Sequence, residues 1–300
     1  MVTPEKVIKG DLIHVVAPAG KVNAFNVKSS INRLKQFGFN VNEGVSLYKE
    51  AGSFAGDDEA RLYDLQQAFD DSQAKVIMLA RGGYGILRII DRINLEQFQK
   101  HPKWVIGFSD NTALLNLLDK KGIATIHGAM PNSLPEDTND RAWTSLLNLL
   151  LEKSNEIIVE PSGLNKNGSI NGYITGGNLT LLTSTLGSPT QIEPAGKILF
   201  IEDISEYHYK LDRMMTALGR AGVFDNIIGL LVGQLTDMVD GGYGSTPQEI
   251  IAEVVNRYNP TCPCAFNIPC GHITSNQSIA FGMPSQITIT DSEVRVKQGL

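Results

Sequence analysis

The chain has 300 residues, 42% of them hydrophobic and 19% charged, with 26 Lys and Arg against 32 Asp and Glu and a formal net charge of −6 at pH 7. That length exceeds a single average core and fits two domains or one large α/β unit. The acidic balance argues against nucleic-acid binding, which needs a basic face against the phosphates, and no apolar run approaches the ~20 residues of a membrane span.

The first apolar run, Leu12 to Ala17, is too short for a secretory signal, is broken by His14 and follows Glu5 and Asp11. A cytoplasmic location is therefore expected. "LIHVVAP" (12–18) reads as a buried strand, followed by a helix around "NVKSSINRLKQFG" that stops on Gly38. "FNVNEG" is a second strand, and "DDEARLYDLQQAFDD" a helix whose acidic start suits its N-terminal dipole. "AKVIMLA" is a strand, "YGILRIIDRI" a helix, "WVIGFSDNTALLNLLDKKG" (104–122) a strand, a serine and a helix, and "IATIHG" a further strand. Alternation at this spacing predicts a parallel sheet covered on both faces. Ligands bind beyond the C-terminal ends of such strands. The loops "APAG" (17–20), "ARGGYG" (80–85), "GFSD" (107–110) and "HGAM" (127–130) should then share one rim.

A boundary is expected over about residues 151–170, where "EPSGLNKNGSING" is rich in Gly, Ser, Asn and Pro. Beyond it the pattern predicts helices on "GNLTLLTSTLG", "YKLDRMMTALGRAG" and "PQEIIAEVVNRYN", and strands on "KILFIED" and "IIGLLVG". "SQITITDSEVRVKQG" closes the chain with the alternation of an antiparallel hairpin. The reading is α/β: an N-terminal parallel-sheet, flavodoxin-like domain over 1–155, a linker over 156–170, and a smaller C-terminal α/β domain over 171–300 ending in that hairpin.

Cys262, Cys264 and Cys270 crowd into "TCPCAFNIPCG", with His272 close behind. An odd count is not a disulfide framework, and the spacing differs from the C-x₂₋₄-C of structural zinc sites. Small residues packed in a Pro-rich segment are the preferred reading, with no metal and no cofactor.

Ser109 stands between a buried strand and a helix. Position alone favours a helix cap. A tight strand-to-helix turn, however, presents the side chain at the ligand-binding end of the sheet, and the Asp110 N–H points where an oxyanion would form. "GFSDN" matches the G-x-S-x-G elbow only in part. A serine nucleophile needs a base oriented by a third group. Of the five histidines, His14 reads as a satisfied core residue, His101 as a surface turn before Pro102, and His208 as the entry to a helix. His127 ends a strand on the serine's rim and His272 follows Gly271 in a loop, so chain position leaves the base role open between them. "KILFIEDISE" places Glu202 and Asp203 at a strand end, and the apolar run up to Ile201 favours Glu202 as the buried acid. "ARGGYG" is neither a dinucleotide nor a Walker loop. Its glycines let backbone N–H groups come close to a reacting centre, and Arg81 suits a substrate carboxylate.

Taken together, "ARGGYG", "GFSDNTALL", "LFIEDISE" and "GHITSNQSIAFGMP" resemble the LD-carboxypeptidase family of serine peptidases, which also includes the microcin C self-immunity peptidases. The resemblance runs from "VVAPAG" to the C-terminal hairpin. It implies that Ser109 is the nucleophile, His272 the base and Glu202 its orienting acid, in that family's order and with gaps of 93 and 70 residues. It also implies an oxyanion hole from the N–H groups of Gly83, less directly Gly82, and of Asp110. The active site would lie between the two domains, in a homodimer. "HGAM" stands for the commoner H-G-P and "DNTAL" for D-I-T-A-L, differences that bear on substrate preference. Neither Trp104 nor Trp143 is placed to stack a nucleobase.

The favoured expectation is a metal-free serine carboxypeptidase acting on a small peptide, murein tetrapeptide, with Arg81, Tyr84 and Asn178 binding substrate. One alternative is a hydrolase of peptidyl- or aminoacyl-nucleotides. The other is a non-enzymatic module that binds muropeptides or small metabolites.

Overall fold

The computed structural model describes residues 1–134, 136–137 and 140–299. β1 (Leu12–Val16) buries Ile13, Val15 and Val16, as a strand covered on both sides should. α1 (Ala24–Gln36) begins on Asn23, whose side chain accepts the N–H groups of Phe25 and Asn26. Gly38, just past its end, takes φ +98°, the left-handed turn that commonly closes a helix. β2 (Asn40–Glu43) follows, then α2 (Asp58–Asp70), capped by Asp57. β3 (Ala74–Leu79), α3 (Glu96–Lys100), β4 (Trp104–Gly107), α4 (Thr112–Lys120) and β5 (Thr125–His127) complete the first half. The five strands are parallel, in the order β5-β4-β3-β1-β2.

One expected element differs. "YGILRIIDRI" forms two 3₁₀ turns, Ile86–Arg88 and Ile90–Arg92, interrupted at Ile89. The isoleucines at 86, 89, 90 and 93 imitate a helical stripe, but β-branched side chains crowd a helix turn. The Ile86 N–H is also taken by the Asp110 carboxylate at 2.9 Å.

The second half opens with α5 (Arg141–Leu147), a π turn over Asn148–Glu152 and β6 (Asn155–Val159). Next come β7 (Gly168–Asn178), α6 (Leu179–Ser184), β8 (Ile198–Ile204), α7 (His208–Arg220), β9 (Gly229–Thr236) and α8 (Pro247–Tyr258). β10 (Cys264–Ala265), β11 (Ile279–Phe281), β12 (Pro284–Ile289) and β13 (Val294–Gln298) end the chain. Seven strands form one mixed sheet, β10-β9-β8-β7-β12-β13-β6, parallel from β10 to β7 and antiparallel beyond. The expected hairpin is β12–β13. The stretch 156–170 holds most of β6 and the start of β7.

β11 leaves this sheet and pairs antiparallel with β5, Ile279 opposite His127. The loop 270–278 therefore starts against β9, where the Gln234 N–H donates to Cys270 O, and ends in the first sheet. Ser275 Oγ donates to Asp140 Oδ2 at 2.6 Å on the way. A late loop is thus clamped to both halves.

Lys103 shows how tightly the first half is closed. It is 1% exposed, and its ammonium donates to the carbonyls of Phe69 at 2.9 Å and Asp71 at 2.6 Å, where α2 ends. Burial pushes its pKa down to about 8, against the pull of Asp71. Lys103→Met leaves those carbonyls without the donor and should cost about 1–3 kcal/mol in urea unfolding.

Candidate active site

β4 ends at Gly107, Phe108 is fully extended, and Ser109 takes φ +62°. A left-handed serine stores roughly 1–3 kcal/mol of backbone strain and turns its side chain out of the strand before α4 begins. No side-chain cap closes either the 3₁₀ turn at Ser109 or α4 itself. The helix-cap reading of Ser109 therefore fails.

The residues after the serine hold the glycine loop above it. Asp110, 1% exposed, accepts the Ile86 N–H, and Asn111 Nδ2 donates to Arg81 O at 3.2 Å. Burial raises the Asp110 carboxyl to about 6, while the N–H groups of Ile86 and Gly85 pull it down. Arg61, buried in α2, donates to Pro18 O and to Gly85 O at 3.0 Å, and Gly20 N–H donates to Gly82 O at 2.9 Å. Gly82 is pressed onto the serine: a Cβ there would lie 2.9 Å from Ser109 Oγ and 3.3 Å from Asp110 N. No larger residue fits. Gly83 takes φ +92° and lines the cavity beside it.

Glu202 stands on β8 with no exposed surface. Its Oε2 accepts the Nδ1–H of His272 at 2.7 Å. An ionised carboxylate only accepts, so in the neutral imidazole Nε2 is the nitrogen left with the lone pair. Burial works to lower the His272 pKa, but the hydrogen bond and charge of Glu202 carry it above the ordinary value. Gly271 makes the contact possible. Its φ is +127°, and a Cβ would lie 2.9 Å from Glu202 Oε2. Its N–H donates to the buried Asn276 Oδ1 at 2.8 Å.

Ser109 and His272 line one cavity of about 380 Å³, together with Arg81, Gly83, Met130 and Ile204. Three expected rim loops (80–85, 107–110 and 127–130) contribute to it. Arg81 is exposed at its edge, its guanidinium donating to Lys21 O. Tyr84 is 54% exposed, packs on Phe54 and is not part of the cavity wall. Asn178 is also outside the wall: it caps α6 through Leu181 N–H, and its Nδ2 donates to Asp203 Oδ1 at 2.9 Å. Asp203 is raised to about 6, first by burial and then by the charge of Glu202.

The other histidines separate clearly. His14 pairs with Asp71 at 2.7 Å, His101 is exposed and His208 begins α7 near Asp240. His127 is fully buried among aromatic rings, and neither of its ring nitrogens has a hydrogen-bond partner among the described residues. Cys262, Cys264 and Cys270 are all buried.

Sequence reasoning missed Arg61, and it named Asp203 only as the second acid of the strand end, whereas the structure buries it beside Glu202. Arg61 had a signal, since it occupies the inward stripe of α2 with Leu65, Ala68 and Phe69. A cation there must serve something buried.

Residues 13–128 match the LD-carboxypeptidase N-terminal domain, and residues 171–287 match the LD-carboxypeptidase C-terminal domain. The chain belongs to the LD-carboxypeptidase family. Within it, the probable murein peptide carboxypeptidase of Bacillus subtilis is 36% identical over 234 residues, 76% of this chain and 73% of its own. The murein tetrapeptide carboxypeptidase of Pseudomonas aeruginosa is 27% identical over 281 residues, 90% of this chain and 91% of its own. The crystal structure of muramoyltetrapeptide carboxypeptidase from Oxalobacter formigenes shares the fold, with TM-score 0.87, 24% identity and coverage of 96% and 99%. The microcin C7 self immunity protein MccF, in complex with aspartyl sulfamoyl adenosine, does so with TM-score 0.88, 19% identity and coverage of 100% and 99%. The LD-carboxypeptidase fold accounts for the two sheets.

Gly271→Ala should break the Glu202–His272 bond. Ring NMR is then expected to show His272 titrating back toward an ordinary imidazole. The raised pKa also means that this pair stabilises the folded chain fully at acidic pH, and that its contribution fades as pH rises through the folded value. The gap in urea midpoint between wild type and Gly271→Ala should therefore narrow in alkali to the pH-independent cost of a Cβ at φ +127°.

Proposed function

We propose that this protein is a serine carboxypeptidase that removes the terminal D-Ala from murein tetrapeptide, cleaving its bond to the L-centre of a diamino acid. Membership of the LD-carboxypeptidase family and the murein peptides named for its relatives support the substrate class. The observation that carries the reading is one cavity shared by a strained serine and an imidazole held by a buried carboxylate.

Ser109 Oγ attacks the scissile carbonyl while His272 Nε2 takes the hydroxyl proton. The oxyanion settles against the N–H groups of Gly83 and Asp110. Collapse of the tetrahedral adduct breaks the C–N bond, and His272 returns its proton to the leaving amine of D-Ala. Water, deprotonated by His272, then releases the tripeptide from the serine ester. Glu202 holds the imidazole in the tautomer with Nε2 free and stabilises its charged form. Arg81, at the cavity edge, receives the free carboxylate of the substrate. Asn178 acts at one remove through Asp203, and Tyr84 stands within the glycine loop. The reading includes a homodimer working in the cytoplasm on recycled wall peptides.

The nucleotide-hydrolase alternative is less well supported, because Trp104 and Trp143 are both fully buried and neither can stack a base. Tetrapeptide and an aminoacyl-nucleotide assayed side by side separate the two readings.

Ser109→Ala should stay folded and lose D-Ala release by on the order of 10⁴-fold or more. A variant within tenfold of wild type would remove Ser109 from the mechanism. The acid limb of kcat/KM should lie above the ordinary histidine value, because activity needs neutral His272 and Glu202 raises its pKa. Glu202→Gln should move that limb to lower pH and reduce the plateau by about 10²–10⁴-fold.

A further inference from the structure

His127 takes no part in the chemistry above, yet a hydrocarbon of its size would fill its place without unpaired polar atoms. It ends β5 with no exposed surface, and neither ring nitrogen has a hydrogen-bond partner among the described residues. Burying polar atoms without partners is unfavourable. Its ring packs against Phe108 at 5.7 Å, Phe200 at 4.9 Å and Phe281 at 5.6 Å between centroids. Two of these rings lead to the site. Phe108 also packs on His272, at 4.9 Å, and Phe200 precedes Glu202 by two residues on β8, so both project from the same face of the strand. Glu202 Oε1 is likewise without a partner among the described residues.

We propose that His127 is a positioning residue for the Glu202–His272 pair: its neutral imidazole, wedged between Phe108 and Phe200, directs its dipole to the Glu202 carboxylate and fixes the ring of His272. The titratable groups around the pair make such help necessary. Asp203, next on β8, and Cys270, entering the loop, both feel the charge of Glu202, and neither supplies a positive partner. Among the described residues, His272 is the one side chain that hydrogen-bonds to the Glu202 carboxylate. Burial pushes His127 down to about 4, with Glu202 pulling up and His272 pushing down. It stays neutral and adds polarity without a second positive charge.

The proposal rests on the serine-peptidase reading, but its test has a readout that needs no substrate. Ring NMR of the full chain follows the His272 pKa directly, and D-Ala release from tetrapeptide gives kcat and KM. His127→Phe keeps the ring volume and removes the dipole. With the Glu202–His272 bond no longer held in place, His272 is then expected to titrate at least about half a unit lower, and kcat to fall on the order of tenfold at unchanged KM. His127→Gln, neutral and polar, should recover most of both. An unchanged His272 titration in a folded His127→Phe would overturn the proposal. So would equal losses in both variants that follow only their melting temperatures. If neither variant folds, the wild-type spectrum decides: His127 must stay neutral while His272 titrates, and protonation of the two together would contradict the role. Absence of D-Ala release by wild type would instead count against the peptidase reading and leave the NMR result standing.

Discussion

A carboxylate with no contact with solvent must be satisfied from inside the protein, and Glu202 is met by one imidazole N–H at 2.7 Å. The rest of the site follows from that demand. The imidazole must arrive from a loop, and the loop must be held, because removing one partner of a buried pair leaves a charge uncompensated. The chain meets this by anchoring residues 270–278 at both ends: to β9 through Cys270, to α5 through Ser275 and Asp140, and to the first sheet through β11. Gly271 lets the backbone pass the carboxylate where any Cβ would collide.

The serine side is built on a different principle. Its turn is strained, and the strain is held in place by contacts that also shape the glycine loop. Asp110 and Asn111, the two residues after Ser109, reach back to Ile86 and Arg81, while Arg61 supports Gly85 from below. One turn of chain thus sets both the hydroxyl and the backbone facing it. The two halves share one apolar cluster and are bridged by Thr175 and Lys197, which both donate to Asp119, so the cavity's geometry depends on how the sheets are joined, and β11 and the loop before it are part of that joint.

Much of the fold was legible because period and punctuation agreed. Strand–helix alternation marked the first sheet, and caps such as Asn23 and Asp57 stood where the pattern broke. The isoleucine stripe at 86–93 misled, since helical spacing cannot report a turn fixed by a distant carboxylate. β11 was invisible: three residues carry no periodic signal, and their partner lies about 150 positions upstream. At the site, Ser109, Glu202 and His272 could be named, but residue patterns alone left His127 and His272 equal. Resemblance to a family broke the tie on paper. The structure gives the carboxylate to His272 and encloses His127 in phenyl rings. Asn178 reads in sequence as a pocket residue and is found holding Asp203, because a strand-end asparagine is also the natural cap of the next helix.

The most direct measurement is mass spectrometry of the intact chain after exposure to a fluorophosphonate that enters the cavity. One adduct on Ser109, formed by wild type and strongly suppressed in His272→Ala, is the predicted result. Wild-type chain that releases D-Ala from tetrapeptide yet carries its only adduct at another residue would contradict the account.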